Sequence, residues 1–484
     1  MEPISEKLIS LPSIEVEAHT PEMDLLSKAY ATASDDEDGG GGVAGTGSRH
    51  SHPPPPPKRV RGSTSFPNSS QMSVFRLPNF PAEAPIPGSY ISKRQRALVS
   101  DPTLSEPNPP HADPSPVLGS LSDSDLPQCV FTALRRRSKN VVVSNQTPQS
   151  LSAGLRGHTK AVNSMQWSKS HVYEHLILEF LRFHLFSLSL SKFFPAHLLA
   201  SAGMDHTVRI WNVWSTGQKQ ARVFNNHHAA VKDVKWSEHG LSVLSCGYDC
   251  TSRLVDVEKG MEVKVFKENQ IVEVVKFCPD NYNLFLSGGS KGQLKLWDIR
   301  TGIVVHEYVR NLGPILDVEF TVDGKYLITS SDVSKTNLSE NSILVWDVSR
   351  QVPLSNQVYA EAFTCPCIRC HPFEPYFIAQ SNGNYIAIFS TRPPFKLDKY
   401  KRYESHGVSG FPIKCNFSPD GNMVASGSSD GCIFYFDSKS SKFLKKVKVY
   451  EQACIDVVFH PYLHDVIASC SWNGEVSVLQ PRPR

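Results

Sequence analysis

The chain has 484 residues and a formal net charge of +3, so no global field steers it towards nucleic acid or a membrane surface. Its 35 prolines crowd the first third while aromatic and aliphatic residues crowd the rest, which predicts a disordered leading region ahead of one large folded unit. Eleven cysteines without a spaced framework predict free thiols in a reducing compartment, and the apolar N-terminus is too broken by Ser10, Pro12 and Ser13 to read as a signal peptide.

Residues 1–150 hold four glycines from Gly39, five prolines from Pro53 to Pro57, and a Ser/Pro/Asp-rich stretch from Ser100 to Pro127. No amphipathic period persists, so burial cannot offset the entropy of ordering, and the expectation is a disordered tail. Two basic clusters, Lys58, Arg59 and Arg61, then Lys93, Arg94 and Arg96, both fit Lys-Arg-x-Arg. The functional reading is nuclear import through an acidic receptor groove; the alternative is a solubilising charge cluster. Arg135 to Arg137 would suit a partner or RNA contact, and Ser34 heads an acidic run to Asp38 that phosphate would make more negative, unless that run is a solvated linker.

Residues 151–484 repeat. Each unit reads as an apolar strand, a small-residue strand, a tight turn with Asp or Asn, and a strand ending in Trp-Asp or a substitute. The marks are Trp211, Val255, Trp297, Trp346, Phe389, Phe436 and Leu479, spaced by 44, 42, 49, 43, 47 and 43 residues. A four-stranded propeller blade takes ~40–45 residues, so the fold class is all-β, a seven-bladed WD-repeat propeller. A buried network is expected at His158, Ser201, Asp205 and Trp211, in which Asp holds His, His holds Ser, and Ser meets the indole N–H. His228, Ser245 and Asp249 are expected to repeat it, as are His406, Ser426 and Asp430, with Val255 and Phe436 at the Trp position. A hydrolytic triad would occur once; recurrence at the blade period assigns these residues to structure.

Two blades are interrupted. Residues 332–342 lengthen a turn of blade four and form a candidate binding loop. Residues 172–196 of blade one are apolar but carry Glu179, Arg182, His184 and Lys192, which excludes a spanning helix of ~20 residues. Deleting them restores an ordinary strand-turn-strand, and an initial Val with a final Phe-Phe-Pro-Ala fits a translated, unspliced intron. The last blade runs out of chain after Leu479, so its outer strand must come from Gln146–Leu155 or from Val141–Val143.

Other motifs carry less. Cys365, Cys367, Cys370 and His371 lack a second distant pair and sit where a strand belongs, so buried thiols are expected rather than metal. Ser287 to Gly292 is a blade turn, and Gly42, Gly45 and Gly47 fall in the tail; neither is a nucleotide loop. Trp297, Asp298 and Arg300 match the Trp-Asp-x-Arg signature by which some propellers dock a cullin-RING ligase adaptor.

The run Ile386 to Lys399, including Ser390-Thr391-Arg392-Pro393-Pro394-Phe395, with Arg402, His406 to Gly410 and Asn416 to Gly421, resembles blades five and six of the pre-mRNA-processing factor seventeen family. Gly157 to Asn163 does likewise, and the sister family of WD repeat-containing protein 25 is more similar still. The resemblance spans Leu155 to Leu479. It implies a non-enzymatic scaffold in the nucleus, without cofactor or small-molecule substrate, holding other proteins in a multi-subunit RNA-processing complex. The alternative is a ubiquitin-ligase substrate receptor.

Overall fold

The computed structural model describes residues 118–122, 124, 126–135, 147–169, 196–308, 310, 312–332, 342–357 and 364–481. The import clusters, Val141–Val143, Arg136 and Arg137, and most of both insertions (170–195 and 333–341) lie outside them.

Twenty-eight strands form seven antiparallel sheets of four. Six sheets are consecutive in sequence: β2–β5 (residues 162–224), β6–β9 (231–267), β10–β13 (272–308), β14–β17 (315–357), β18–β21 (367–404) and β22–β25 (415–448). The seventh joins β26 (Cys454–Phe459), β27 (Ile467–Ser471) and β28 (Val476–Gln480) to β1 (Ser150–Leu155), which pairs Ser150 with Gln480 and Leu155 with Val476. Of the two segments expected to close the ring, the first does so. The seven expected marks all lie on the third strand of their blade.

Between the second and third strands one residue takes a left-handed backbone in six blades: His206, Cys250, Gly292, Asn384, Gly431 and Gly474, with φ of 59–93°. Where a side chain must adopt that region, Asn, His and Gly are the residues that tolerate it best.

The first strand of each blade lines the axis. β2 (Val162–Trp167) packs beside both β6 (Val231–Trp236) and β26, which completes the circle. Bulges early in β2, β6, β14 (Ile315–Phe320) and β26 turn Ser164, Asp233, Asp317 and Asp456 towards the neighbouring blade. Asp456 accepts the Met165 N–H (3.0 Å), Asp233 accepts the Ser164 hydroxyl (2.6 Å) and the Val275 N–H (3.3 Å), and Asp317 accepts the Ile368 N–H (2.8 Å). Asn163 donates to the Val231 carbonyl (2.7 Å) and Lys414 N–H to that of Ile455 (2.7 Å). Each buried carboxylate also faces a cation: Lys235 at Asp233 (2.5 Å), Arg369 at Asp317 (2.7 Å), Lys414 at Asp456 (3.9 Å). A buried charge is tolerated only when so compensated.

The tail expected over 1–150 is not uniform. Asn212 Nδ2 donates to the carbonyls of Ser120 and Ser122 (both 3.1 Å), and His197 Nε2 meets that of Leu121 (3.1 Å). After Pro127 the helix α1 (Gln128–Arg135) follows, with Leu126 and Leu134 buried in the cluster that holds Trp167 and Trp214. Val130 and Leu134 are four residues apart on one face of this helix, with Leu126 packed just ahead of it, a period too short to stand out in a Pro/Ser-rich background. Trp167 stacks on Trp214 (5.6 Å) and meets His460 edge-on (4.8 Å). His460 Nε2 reaches the Ala196 carbonyl (2.6 Å), so the chain leaves its insertion through a buried residue.

The seam generates one expectation. Leu155 is almost wholly buried where β1 meets β28. Leu155→Ala should lower unfolding free energy by about 3 kcal/mol, read from urea denaturation by tryptophan fluorescence.

Candidate functional site

In blade one the expected residues converge. His158 Nδ1 donates to Asp205 (2.9 and 3.0 Å), Ser201 donates to His158 Nε2 (2.8 Å), and Trp211 Nε1 donates to Ser201 Oγ (2.8 Å). This is a single consistent set of donors and acceptors linking four segments of chain. Burial by itself would raise the Asp205 carboxyl; the His158 ring, the Thr207 hydroxyl and the Thr159 N–H outweigh it and bring the pKa to about 2. Burial also lowers the His158 pKa, against the pull of Asp205, which keeps the ring neutral.

Blade two departs by one residue. His227, not His228, donates Nδ1–H to Asp249 (3.0 Å) and accepts from Ser245 (2.8 Å). His228 offers only its backbone N–H to Asp249 (3.2 Å), and its ring is exposed. The two histidines lie in the loop between β5 and β6, whose path turns the first ring inward and leaves the second exposed. Val255 supplies no indole here.

Blade six departs further. Phe436 gives Ser426 no N–H, and Gln380 of the preceding blade occupies the His406 nitrogen, so the single Ser426 hydroxyl proton is shared between the Gly427 carbonyl (2.9 Å) and Gln380 Oε1 (3.2 Å). Gln380 Nε2 meets His406 Nε2 (2.7 Å), leaving His406 Nδ1 buried without a partner. Asp430 turns outward to Lys446 (2.6 Å). The expected His406–Asp430 link is therefore absent.

Blades three, four and seven keep only parts of the network, as their incomplete residue sets lead one to expect. Trp297 donates to Ser287 (2.9 Å) and Trp346 to Thr329 (3.0 Å), while Tyr450 bonds both Ser469 Oγ (2.9 Å) and its carbonyl (2.7 Å) in blade seven. The repeated small polar residue on each second strand was the available signal. Sequence reasoning missed the axial carboxylates Asp233, Asp317 and Asp456, although they stand at matching positions of three first strands.

Of the adaptor-docking candidates, Trp297 and Asp298 end the third strand of blade three and Arg300 lies on the turn that follows. The Trp297 ring is buried among Phe266 and Phe285. The Arg300 side chain is 70% exposed, with its guanidinium on the Asp298 carboxylate (3.2 Å). His371 is committed on both ring nitrogens: Nδ1 accepts from the N–H of Phe373 and Glu374, and Nε2 meets the Gly421 carbonyl (3.0 Å). Cys365 and Cys367 are buried, neither in a disulfide, and the Cys367 thiol donates to the Cys415 carbonyl (3.5 Å).

Two tests follow from this geometry. His227→Ala should cost about 2 kcal/mol by stranding Ser245 and Asp249, whereas His228→Ala should stay within ~0.5 kcal/mol, both read from urea midpoints. The second concerns pH. Burial lowers His406 to about 4 and His460 to about 3. Below the ordinary value near 6.5 the unfolded chain takes up protons that the folded one refuses, so stability is full above pH ~6.5 and falls as pH drops towards 4. Asp205 and Asp233, both lowered to about 2, add a further loss as pH falls from ~4 towards 2. Urea midpoints across pH 8 to ~3 should show both losses, with a smaller first one in His406→Gln.

The WD domain, G-beta repeat family matches residues 149–212, 218–256, 260–298 and 398–437, which are blades one to three and the region of blade six. WD repeat-containing protein 25 of Mus musculus is 32% identical over 397 residues, covering 80% of this chain and 69% of that protein. Pre-mRNA-processing factor 17 of Homo sapiens is 31% identical over 300 residues, 61% of this chain and 50% of its own length; the Saccharomyces cerevisiae protein of that name is 29% identical over 293 residues, 59% and 63%. This chain spans only about half the length of the human factor. With its seven blades, its repeat matches and the extent of these likenesses, the chain belongs to the WD-repeat propeller family that includes WD repeat-containing protein 25.

Proposed function

We propose that this protein is a non-catalytic scaffold of the nucleus that holds other proteins within a pre-mRNA splicing complex. The observation carrying this reading is the propeller shared with relatives whose name attaches them to pre-mRNA processing. The chemistry of the ring supports it. The His, Ser and Asp residues that could serve as a triad in blades one and two are spent on each other and on strand-to-strand bonds, which fixes a rigid platform. Loops on such a platform meet several partners at once. The basic tail clusters at Lys58 and Lys93 suit delivery to the nucleus.

A substrate-receptor role for a ubiquitin ligase is the competing reading, favoured by the exposure of Arg300 on its turn. Affinity purification of the tagged full chain from nuclear extract separates the two. Core splicing proteins should co-purify, and Arg300→Ala should not change their recovery. A cullin adaptor recovered in their place, and lost with Arg300→Ala, would replace the scaffold reading.

A further inference from the structure

The outer strands of a propeller carry one unpaired backbone edge each, and lysine on such edges guards against pairing with other chains. That duty applies to every blade alike. Here the cations are not shared out. β21 (Leu397–Glu404) carries Lys399, Lys401 and Arg402, and β25 (Phe443–Lys448) carries Lys445, Lys446 and Lys448. The outer strands of blades three, four and seven carry none, blade one only the buried Arg222, and blade two Lys264 and Lys267. Six cations on two neighbouring edges call for a second cause.

The turns extend the patch. Lys396 precedes β21, and Lys439 and Lys442 precede β25; from Lys439 to Lys448 there is no acidic residue. The two blades touch here, because Lys401 Nζ donates to the Lys439 carbonyl (3.3 Å) and Tyr403 to that of Ser438 (2.9 Å). Arg402 pairs with Glu404, Lys446 with Asp430, and Lys448 with Glu451 (3.7 Å). Among the described residues, Lys396, Lys399, Lys401 and Lys442 form no ion pair with a carboxylate, while Lys439 lies close enough to Asp437 to help hold its carboxyl below the usual range. The nearby Asp398 is engaged by the N–H groups of Tyr400 (2.9 Å) and Lys401 (3.2 Å).

Aromatic rings interrupt the charge. Tyr400, between Lys399 and Lys401, is 97% exposed, and Phe443, beside Lys442, is 48% exposed. Between the blades lies a cleft of about 550 Å³, walled by Tyr376 and Leu397, with Lys396, Lys401 and Lys439 outnumbering Glu374 and Asp398 on its lining. An excess of cations at the rim, apolar and aromatic surface between them, and a cleft of ligand size make up the pattern that single strands require: phosphates on the cations, bases on the rings. An acidic polypeptide would use the lysines but has no need of an exposed, unpacked Tyr400.

We propose that the outer rim of blades five and six binds single-stranded RNA, with Lys399, Lys401 and Lys442 on phosphates and Tyr400 stacked on a base. The overall charge of +3 conceals this surface because acidic residues elsewhere in the chain offset it. The inference does not depend on the scaffold reading; purified protein tests it without any partner.

The test is fluorescence anisotropy of a labelled oligouridine of about 20 nucleotides with the full chain, in low and moderate salt. Replacing the six tail cations at Lys58, Arg59, Arg61, Lys93, Arg94 and Arg96 by alanine removes their background from every arm. In that setting Lys399→Glu/Lys401→Glu/Lys442→Glu should weaken binding at least tenfold and reduce the salt slope by about 2, at ~0.7 per phosphate contact. Tyr400→Ala should weaken it about fivefold or more, the lower end of a stacked base. All four residues are exposed, so unchanged thermal melting should accompany both effects. Binding that survives the triple charge reversal overturns the proposal. So does a silent Tyr400→Ala together with equal displacement of the RNA by oligoglutamate, which would assign the rim to an acidic protein segment.

Discussion

The pairing of β1 with β28 is the contact on which the rest of the architecture depends. A single four-stranded sheet of this size buries too little to stand alone, and each blade is stable only with a neighbour on either face. In a closed ring every face is covered; in an open one the first and last blades both lose a partner. Residues 150–155 bring the start of the propeller onto its final strand, so the seam lies inside a sheet and is held by a hydrogen-bond ladder as well as by side-chain packing. The axial carboxylates complement it. Asp456 ties blade seven to blade one, and Asp233 ties blade one to blade three through blade two, at the radius where blades crowd most.

Around that ring the blades are not equivalent. Blades one and two hold their turns with a full His-Asp-Ser relay, blades three and four with a lone indole-to-hydroxyl bond. Blade five relies on the stacked pair Phe377 and Phe389 (4.9 Å), and blade six on Phe434, Phe436 and Tyr403. The polar relay gives direction and therefore fixes turn geometry, whereas ring stacking fills volume with less angular restraint. Blades five and six are also where the outer strands hold their cations and the exposed Tyr400.

Much of the fold was legible. A period near 44 residues, and an aromatic or aliphatic mark ending each third strand, suffice to count blades, because each blade must place one large side chain at the same depth between its neighbours. The site residues were less legible. Adjacent His227 and His228 are indistinguishable until the path of the loop into β6 is known. His406 and Asp430 carry the right letters, but Phe436 removes the donor that anchors the relay, and Gln380 from another blade fills the gap. The packing of Leu126 and Leu134 depended on a face made by Trp167 and Trp214, far along the chain.

By itself the sequence determined the number of blades, the order of strands within the first six and the residue types at each turn, because these follow from local alternation and from spacing along the chain. Only the tertiary structure decided which histidine turns inward, which carboxylates bridge the axis, and which lysines of separate repeats become one charged rim. Those outcomes depend on through-space distances between segments about 20 to 300 residues apart, from His227 and Asp249 to Met165 and Asp456, and no local pattern encodes them.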